Sequence, residues 1–334
     1  MTALASAAEQ LARRHRLQWW EALPWIAALA AFFAFPNYLA FGTQVLITIL
    51  FALSLDLVLG YAGIVTLGHA AFFGAGAYTV GMMAMHWGWN EPISGLFAAA
   101  LVAGAIGLGS GLVLLRTRGL TLLTLTLATL ALLEQAANMG AAWTGGFDGM
   151  PGLSFSRILG LFGFDALYFR SQYLYVLAVL FLCFVIVRTL VYSSFGQSLT
   201  GIRENLLRMH AVGAPVRARQ VLVYAVSAAL AGVAGALFTQ ANGYVNLAVL
   251  GLERSAGVMI VLILGGHGRL YGAFIGAVTY MLIEDVLAKA YPTAWQLGLG
   301  LTLVTVALFA RNGVIGIFDS LRRRLAGQRR GTAR

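Results

Sequence analysis

Apolar residues run along this chain in long unbroken blocks, with polar positions gathered between them. Ten blocks stand out: 24–41, 43–60, 63–86, 93–115, 119–139, 173–191, 219–241, 255–265, 272–288 and 294–310. A bilayer-crossing helix needs about 20 mostly apolar residues, whereas a membrane barrel would alternate apolar and polar positions. The pattern predicts an all-α polytopic membrane helix bundle of eight to ten transmembrane helices. The span is allowed to vary because 63–86 is interrupted and 255–265 is short for a full crossing. The interruption is GYAGIVTLGHAAFFGAGAYT, residues 60–79, with five glycines, a histidine and two threonines. Glycine destabilises a helix by about 1 kcal/mol relative to Ala, so a broken or re-entrant segment is expected near 60–79.

Polar residues divide the rest. Residues 1–23 are a basic tail, 24–311 the membrane region and 312–334 a second basic tail. Within the membrane region, 140–172 is a turn-rich loop containing TGGFDGMPG. Residues 192–218 form the longest polar loop, and Leu199–Ala211 reads as one short amphipathic helix stopped by Gly213 and Pro215.

Composition agrees with the bilayer. The chain is 60% hydrophobic and 10% charged, where a soluble domain carries about 25% charge. Net charge is +10, and its placement is informative. With a cytoplasmic N-terminus, eighteen of the 22 Lys and Arg fall on inside segments; Arg157, Arg170, Arg254 and Lys289 fall outside. That bias predicts both termini in the cytoplasm. Topology accounts for the charge without nucleic acid, and the tails could also touch anionic membrane lipid. The first apolar block ends without a small-residue cleavage site and reads as a span, not a removed signal.

Candidate chemistry is sparse. HExxH, GxSxG, CxxC and Walker A runs are absent, and the five histidines show no metal-ligand spacing, so no catalytic residue, metal or cofactor is expected. The lone cysteine, Cys183, sits in an apolar block and reads as a small buried hydrophobe. Four acids fall in or beside spans: Asp56, Glu134, Glu284 and Asp285. Each lies near a span end, where interfacial solvation is sufficient. Gly74, Gly76 and Ala77, with Ala70 and Ala71, would give one helix a flat side. That is either a close packing seam or the wall of a solute path. His69, beside the break, is either a hydrogen-bonded structural group or part of that path. GHAAFFGA at 68–75 and GHGRLYGA at 266–273 share Gly-His and Gly-Ala at equal offsets, a weak internal echo.

Taken in order, GYAG-x3-LGHAAFFG-x-GAYT, the TGG-x2-G-x2-G loop, the R-E-N-x5-A-x-G loop and GG-x-G-x3-G-x3-GA resemble the M-type permeases of bacterial branched-chain amino-acid ABC importers. The resemblance spans roughly Leu39 to Ala288. A related urea-importer permease carries a similar glycine-rich run, so a urea or small-amide solute stays open. The resemblance implies a non-catalytic inner-membrane subunit forming half of a translocation pathway. Its implied partners are two ABC ATPase subunits, a second, paralogous permease subunit and an extracytoplasmic solute-binding protein. It places Asp56, Gly60, Gly63, Thr66, Gly68, His69, Gly74 and Gly76 along the path or its packing seam. It assigns Arg203, Glu204, Asn205, Leu206, Leu207, Arg208, His210 and Gly213 to a coupling helix that docks on the ATPase. Thr144, Gly145, Gly146, Asp148 and Gly149 would face the binding protein. Two departures from the family pattern are His210, where an acid is usual, and His267, where an apolar residue is usual. The competing reading is an ion-coupled secondary transporter using Asp56 and Glu134, which would need those acids deep in the spans.

Overall fold

The computed structural model describes residues 19–155 and 169–292, with 294, 295, 297, 298, 300, 301 and 304 beyond them. Most of the two basic tails, most of the expected span 294–310 and residues 156–168 of the expected external loop lie outside the described residues. The chain is an all-α polytopic membrane bundle, and among the described residues it holds no strand, only an isolated Met150–Val245 bridge. Among the described residues, beside a single helical turn at Ala141–Thr144, eleven helices build it: α1 Leu23–Ala34, α2 Leu39–Asp56, α3 Ala70–Trp87, α4 Pro92–Leu114, α5 Leu120–Met139, α6 Phe169–Tyr192, α7 Ser194–Glu204, α8 Leu206–Ala211, α9 Val216–Asn242, α10 Leu252–Gly265 and α11 Gly272–Ala290. Among the described residues, five segments are long and apolar enough to cross a membrane: 36–61, α4, α5, α6 and α9.

The central helix is α9, which packs on α4, α3 and α2. In α4, Gly95, Ala99, Ala103, Gly107 and Gly111 recur every fourth residue and are buried on one side or face α9 directly. A Cβ on Gly232 of α9 would land on Ala103, and one on Gly107 would land on Ala228. Lipid supplies no hydrophobic drive between helices, so close backbone approach along such small-residue stripes does the work. Away from that seam α4 is apolar and exposed, with Phe97 69% and Leu101 73% accessible. In α5 only Leu122, Thr126 and Leu130 are buried, a narrow stripe one residue wide.

The expected boundaries shift in three places. The span expected at 24–41 stops at Ala34 because Pro36 follows: its ring bars the preceding residue from the helical region, and Phe35 turns out to φ −128°, ψ 63°. Helix α2 then starts afresh at Leu39. The break expected across 60–79 is confined to 62–69. Before it the helix widens into a π-turn over Leu57–Tyr61; after it α3 runs without interruption, and Gly74 and Gly76 lie inside regular helix. The single amphipathic helix expected at Leu199–Ala211 is two helices. Asn205 leaves the helical region at φ −153°, and its side chain accepts the Arg208 N–H at 3.0 Å, so it ends α7 and caps α8.

The bundle has two ends. At the basic end, Arg217 of α9 donates to the Leu112 carbonyl at 3.0 Å and Arg188 pairs with Glu21 at 3.0 Å. At the opposite end, Met150 and Val245 exchange backbone bonds of 2.8 and 3.2 Å, and His86 Nε2 meets the Trp143 carbonyl at 2.8 Å. There Glu91 caps α4, accepting from the Ser94 N–H at 2.6 Å and the Ile93 N–H at 3.2 Å. Partial burial pulls the Glu91 pKa upward, but the Ser94 hydroxyl and these two amides outweigh it and hold the carboxyl below its ordinary value.

Candidate functional site

Two clusters bring together residues that are far apart in sequence. The first lies midway through the bundle, where α3 and α10 both begin. The extended segment 62–69 returns into the protein from the π-turn. Buried backbone outside a helix must be paired, and here side-chain hydroxyls pair it, two of them from other helices. Leu67 N–H donates to Thr126 Oγ1 of α5 at 3.3 Å, and Gly68 N–H to Thr66 Oγ1 at 3.2 Å. Ala70 N–H, the first of α3, donates to Ser255 Oγ of α10 at 2.8 Å. Gly68 has no room for a Cβ, which would fall on the Thr126 carbonyl.

His69 is fully buried in this junction. Its Nε2 stands 2.9 Å from Ser54 Oγ, and the Ser54 hydroxyl already donates to the Phe51 carbonyl at 2.6 Å. Ser54 Oγ must therefore accept, and His69 carries its proton on Nε2. The bare Nδ1 is buried and, among the described residues, has no partner. The ring stacks on Phe51 at 5.5 Å between centroids, and its edge meets Phe72. Ser227 of α9 donates to the Ser54 carbonyl, which joins the central helix to the same network. His69 is thus hydrogen-bonded at the junction of α2, α3 and α9.

The second cluster sits at the basic end. Asp56 is 1% accessible, so the expectation that interfacial water solvates it is wrong. Its Oδ1 accepts the Gly268 N–H at 2.7 Å, from the turn between α10 and α11, 212 residues away. Arg203 of α7 reaches across to the Gly60 carbonyl within the π-turn. Its stem lies against Gly63, whose φ of +70° only glycine adopts cheaply. A Cβ on Gly60 would fall on the Asp56 carboxylate and on Gly268 N. One cluster therefore ties the polar loop to both turns at which helices are interrupted. Asp56→Leu removes the acceptor and leaves the Gly268 N–H buried and unpaired. We expect it to cost about 1–3 kcal/mol, read as a lower thermal midpoint of the purified protein.

The remaining loop residues face outward. Glu204, Asn205, Leu207, Arg208, His210 and Gly213 are exposed, and Leu207 and Val212 are 80% and 77% accessible. Leu206 is half-buried. At the opposite end, Thr144 is buried and its hydroxyl donates to the Ala137 and Gly140 carbonyls. Gly145, Gly146 and Gly149 all take positive φ, and a Cβ on Gly149 would meet the Val245 carbonyl. These four residues shape the loop, which leaves Asp148 and Phe147 as its outward groups. His267 is exposed in its turn, while Cys183 is buried. An apolar cleft of about 920 Å³ opens between α1, α2, α6 and α11; Asp285 is its one charged lining residue, so it is not a polar path.

Sequence reading missed the Gly95–Gly111 stripe, although its four-residue spacing is plain in the sequence. It also missed the Asp56–Gly268 pairing, for which no local signal exists.

Comparison with known proteins bears on this geometry. Residues 37–308 match the profile of a family described as branched-chain amino acid transport system / permease component. The high-affinity branched-chain amino acid transport system permease protein LivM of Escherichia coli (strain K12) is 28% identical over 298 residues, 82% of this chain and 69% of that protein. LivM of Salmonella typhimurium is 26% identical over 314 residues, 87% of this chain and 72% of that protein. The autoinducer 2 import system permease protein LsrC of Enterobacter sp. (strain 638) is 33% identical over 278 residues, 78% of this chain and 76% of that protein. No solved structure matches.

Proposed function

This chain belongs to the branched-chain amino acid transport system permease family, and from that premise we propose that it forms half of the pathway of an ABC importer for branched-chain or related amino acids. It is a multi-pass membrane protein of a permease family; the bacterial inner membrane, with both termini in the cytoplasm, is the location that the arginine distribution favours. In this reading the chain is non-catalytic and holds no cofactor. Two ABC ATPase subunits bind the basic end, a second, paralogous permease completes the pathway, and an extracytoplasmic solute-binding protein docks at the opposite end against Phe147 and Asp148.

The observation that supports it best is the 194–215 segment. It presents two exposed apolar side chains, Leu207 and Val212, among charges, while Arg203 of the same segment grips the Gly60 carbonyl at the pathway's helix break. A docking surface on one face and a grip on the break on the other is what a subunit without its own nucleotide site requires. Burial of Asp56 is the one feature that favours an ion-coupled transporter. Its carboxylate is already engaged by a backbone N–H at a structural turn, which makes a positioning role the better account.

The LsrC relative keeps a different solute class in view, and the test separates them. Proteoliposomes carrying the whole complex should take up leucine only with ATP inside and binding protein outside. Uptake without ATP would overturn the ABC reading; ATP-driven uptake of another solute in place of leucine would overturn the amino-acid reading. Reporter fusions after Arg334 should report the cytoplasm, and a periplasmic signal would overturn the orientation.

A further inference from the structure

Helices α10 and α11 pack antiparallel in a register set by glycines. A Cβ on Gly265 would meet the Gly272 carbonyl, one on Gly276 the Val261 carbonyl, and one on Gly257 the Tyr280 hydroxyl at 3.4 Å. Continued one turn toward the opposite end, the register brings Arg254 level with Glu284. The two charges act on each other electrostatically, and among the described residues no ion pair of 4 Å or less closes between them. Both are half-buried. The Arg254 guanidinium carbon lies 5.1 Å from the Phe73 centroid and 4.7 Å from the Phe238 centroid. Attraction to an aromatic face does not use up the guanidinium's N–H donors as a carboxylate would. Among the described residues no acceptor takes those donors.

A guanidinium and a carboxylate within a bundle are costly and mark a functional site unless they satisfy each other. Here they occupy facing register positions of α10 and α11, and Arg254 lies against Phe73 of α3 and Phe238 of α9, next in the chain to Ser255, whose hydroxyl takes the Ala70 N–H and joins the starts of α10 and α3. We propose that Arg254 and Glu284 form a binding site for the zwitterionic head of a small amino acid in transit. Arg254 takes the α-carboxylate through its forked N–H edge, Glu284 takes the α-ammonium, and Phe73 and Phe238 supply apolar wall for the side chain. This deepens the amino-acid importer reading and rests on it. It also assigns Arg254, which a count of loop arginines treats as topology alone, to the solute.

The test uses the complete complex in proteoliposomes with leucine and photo-leucine as probes. R254Q and E284Q should each lower ATP-driven leucine uptake about tenfold or more, as loss of a charge-assisted bond implies, while the complex still assembles with its ATPases. Photo-leucine should label α3, α10 or α11 of the wild type. Leucine should block that labelling, leucinamide should not, and R254Q should lose it. Wild-type uptake by both variants, or equal protection by leucinamide, would overturn the site while leaving the amino-acid reading intact. Failure of the wild type itself to import leucine would overturn both. If R254Q does not assemble, R254K, which keeps the charge and loses the fork, and E284Q decide by the same criteria.

Discussion

Gly76→Leu is expected to abolish recovery of folded protein, whereas Gly74→Ala is expected to be mild. Both glycines lie in α3, two residues apart, in a run that reads as one flat surface. Their neighbours differ. A Cβ at Gly76 would fall on the backbone of Gly232 in α9, and three residues earlier in α3 the Phe73 carbonyl sits where a Cβ of Gly235 would go. Two main chains touch there, and neither can move without breaking the helix it belongs to. A Cβ at Gly74 instead meets the side chain of Leu250, which can change rotamer. Overpacking a side chain costs about 1–3 kcal/mol, and displacing backbone lies at or beyond the top of that range. Because α9 is the hub of the bundle, the loss cannot stay local. Yield on size exclusion and the thermal midpoint read the outcome; a wild-type midpoint for Gly76→Leu would mean the α3–α9 approach is wrong. Gly74→Leu should fall between the two, folding with reduced transport.

Leu207→Asp should strip the ATPases from the purified complex while the permease still folds and inserts. Leu207 is 80% accessible, so the substitution disturbs no internal packing and any loss belongs to a partner. Removing an apolar anchor from the centre of an interface costs about 2 kcal/mol or more, roughly a thirtyfold loss of affinity. Glu204→Arg, which reverses an exposed charge one turn earlier in the loop, should act in the same direction. Gly213→Leu should weaken docking by another route: Gly213 holds φ +80° with no atom within 4 Å of a built Cβ, so only backbone strain of about 1–2 kcal/mol opposes a side chain there. Arg203→Ala should behave differently, keeping the ATPases bound but lowering uptake per ATP, since its guanidinium grips Gly60. Co-purification and coupled transport measured on the same variants separate the two roles. Unchanged co-purification in both Leu207→Asp and Glu204→Arg would remove the docking surface from this segment.

Much was legible in the chain itself. Long apolar blocks determined an all-α membrane bundle, because lipid leaves a backbone no partner except its own helix. Motif order along 60–79, 144–152, 203–213 and 265–277 was enough to place the family, and the polar run at 192–218 to locate the loop that now carries the exposed Leu207 and Val212. Pro36 and Asn205 were readable in principle, since each breaks a helix by its own covalent chemistry. The glycines were legible as a class and not one by one: in sequence Gly74 and Gly76 are equivalent, and only the partner atom, side chain in one case and backbone in the other, separates them. Asp56 shows the limit most clearly. Its position near a span end says interfacial water; the fold instead brings Gly268 to it across 212 residues. The same holds for Arg254 and Glu284, whose proximity depends on the glycine register of α10 on α11. A residue's burial and partners are set by which helices meet and at what register. Hydropathy reports only how far each segment prefers lipid to water, so composition and pattern determined that this chain lives in a membrane, and packing alone decided which of its charges and glycines face one another there.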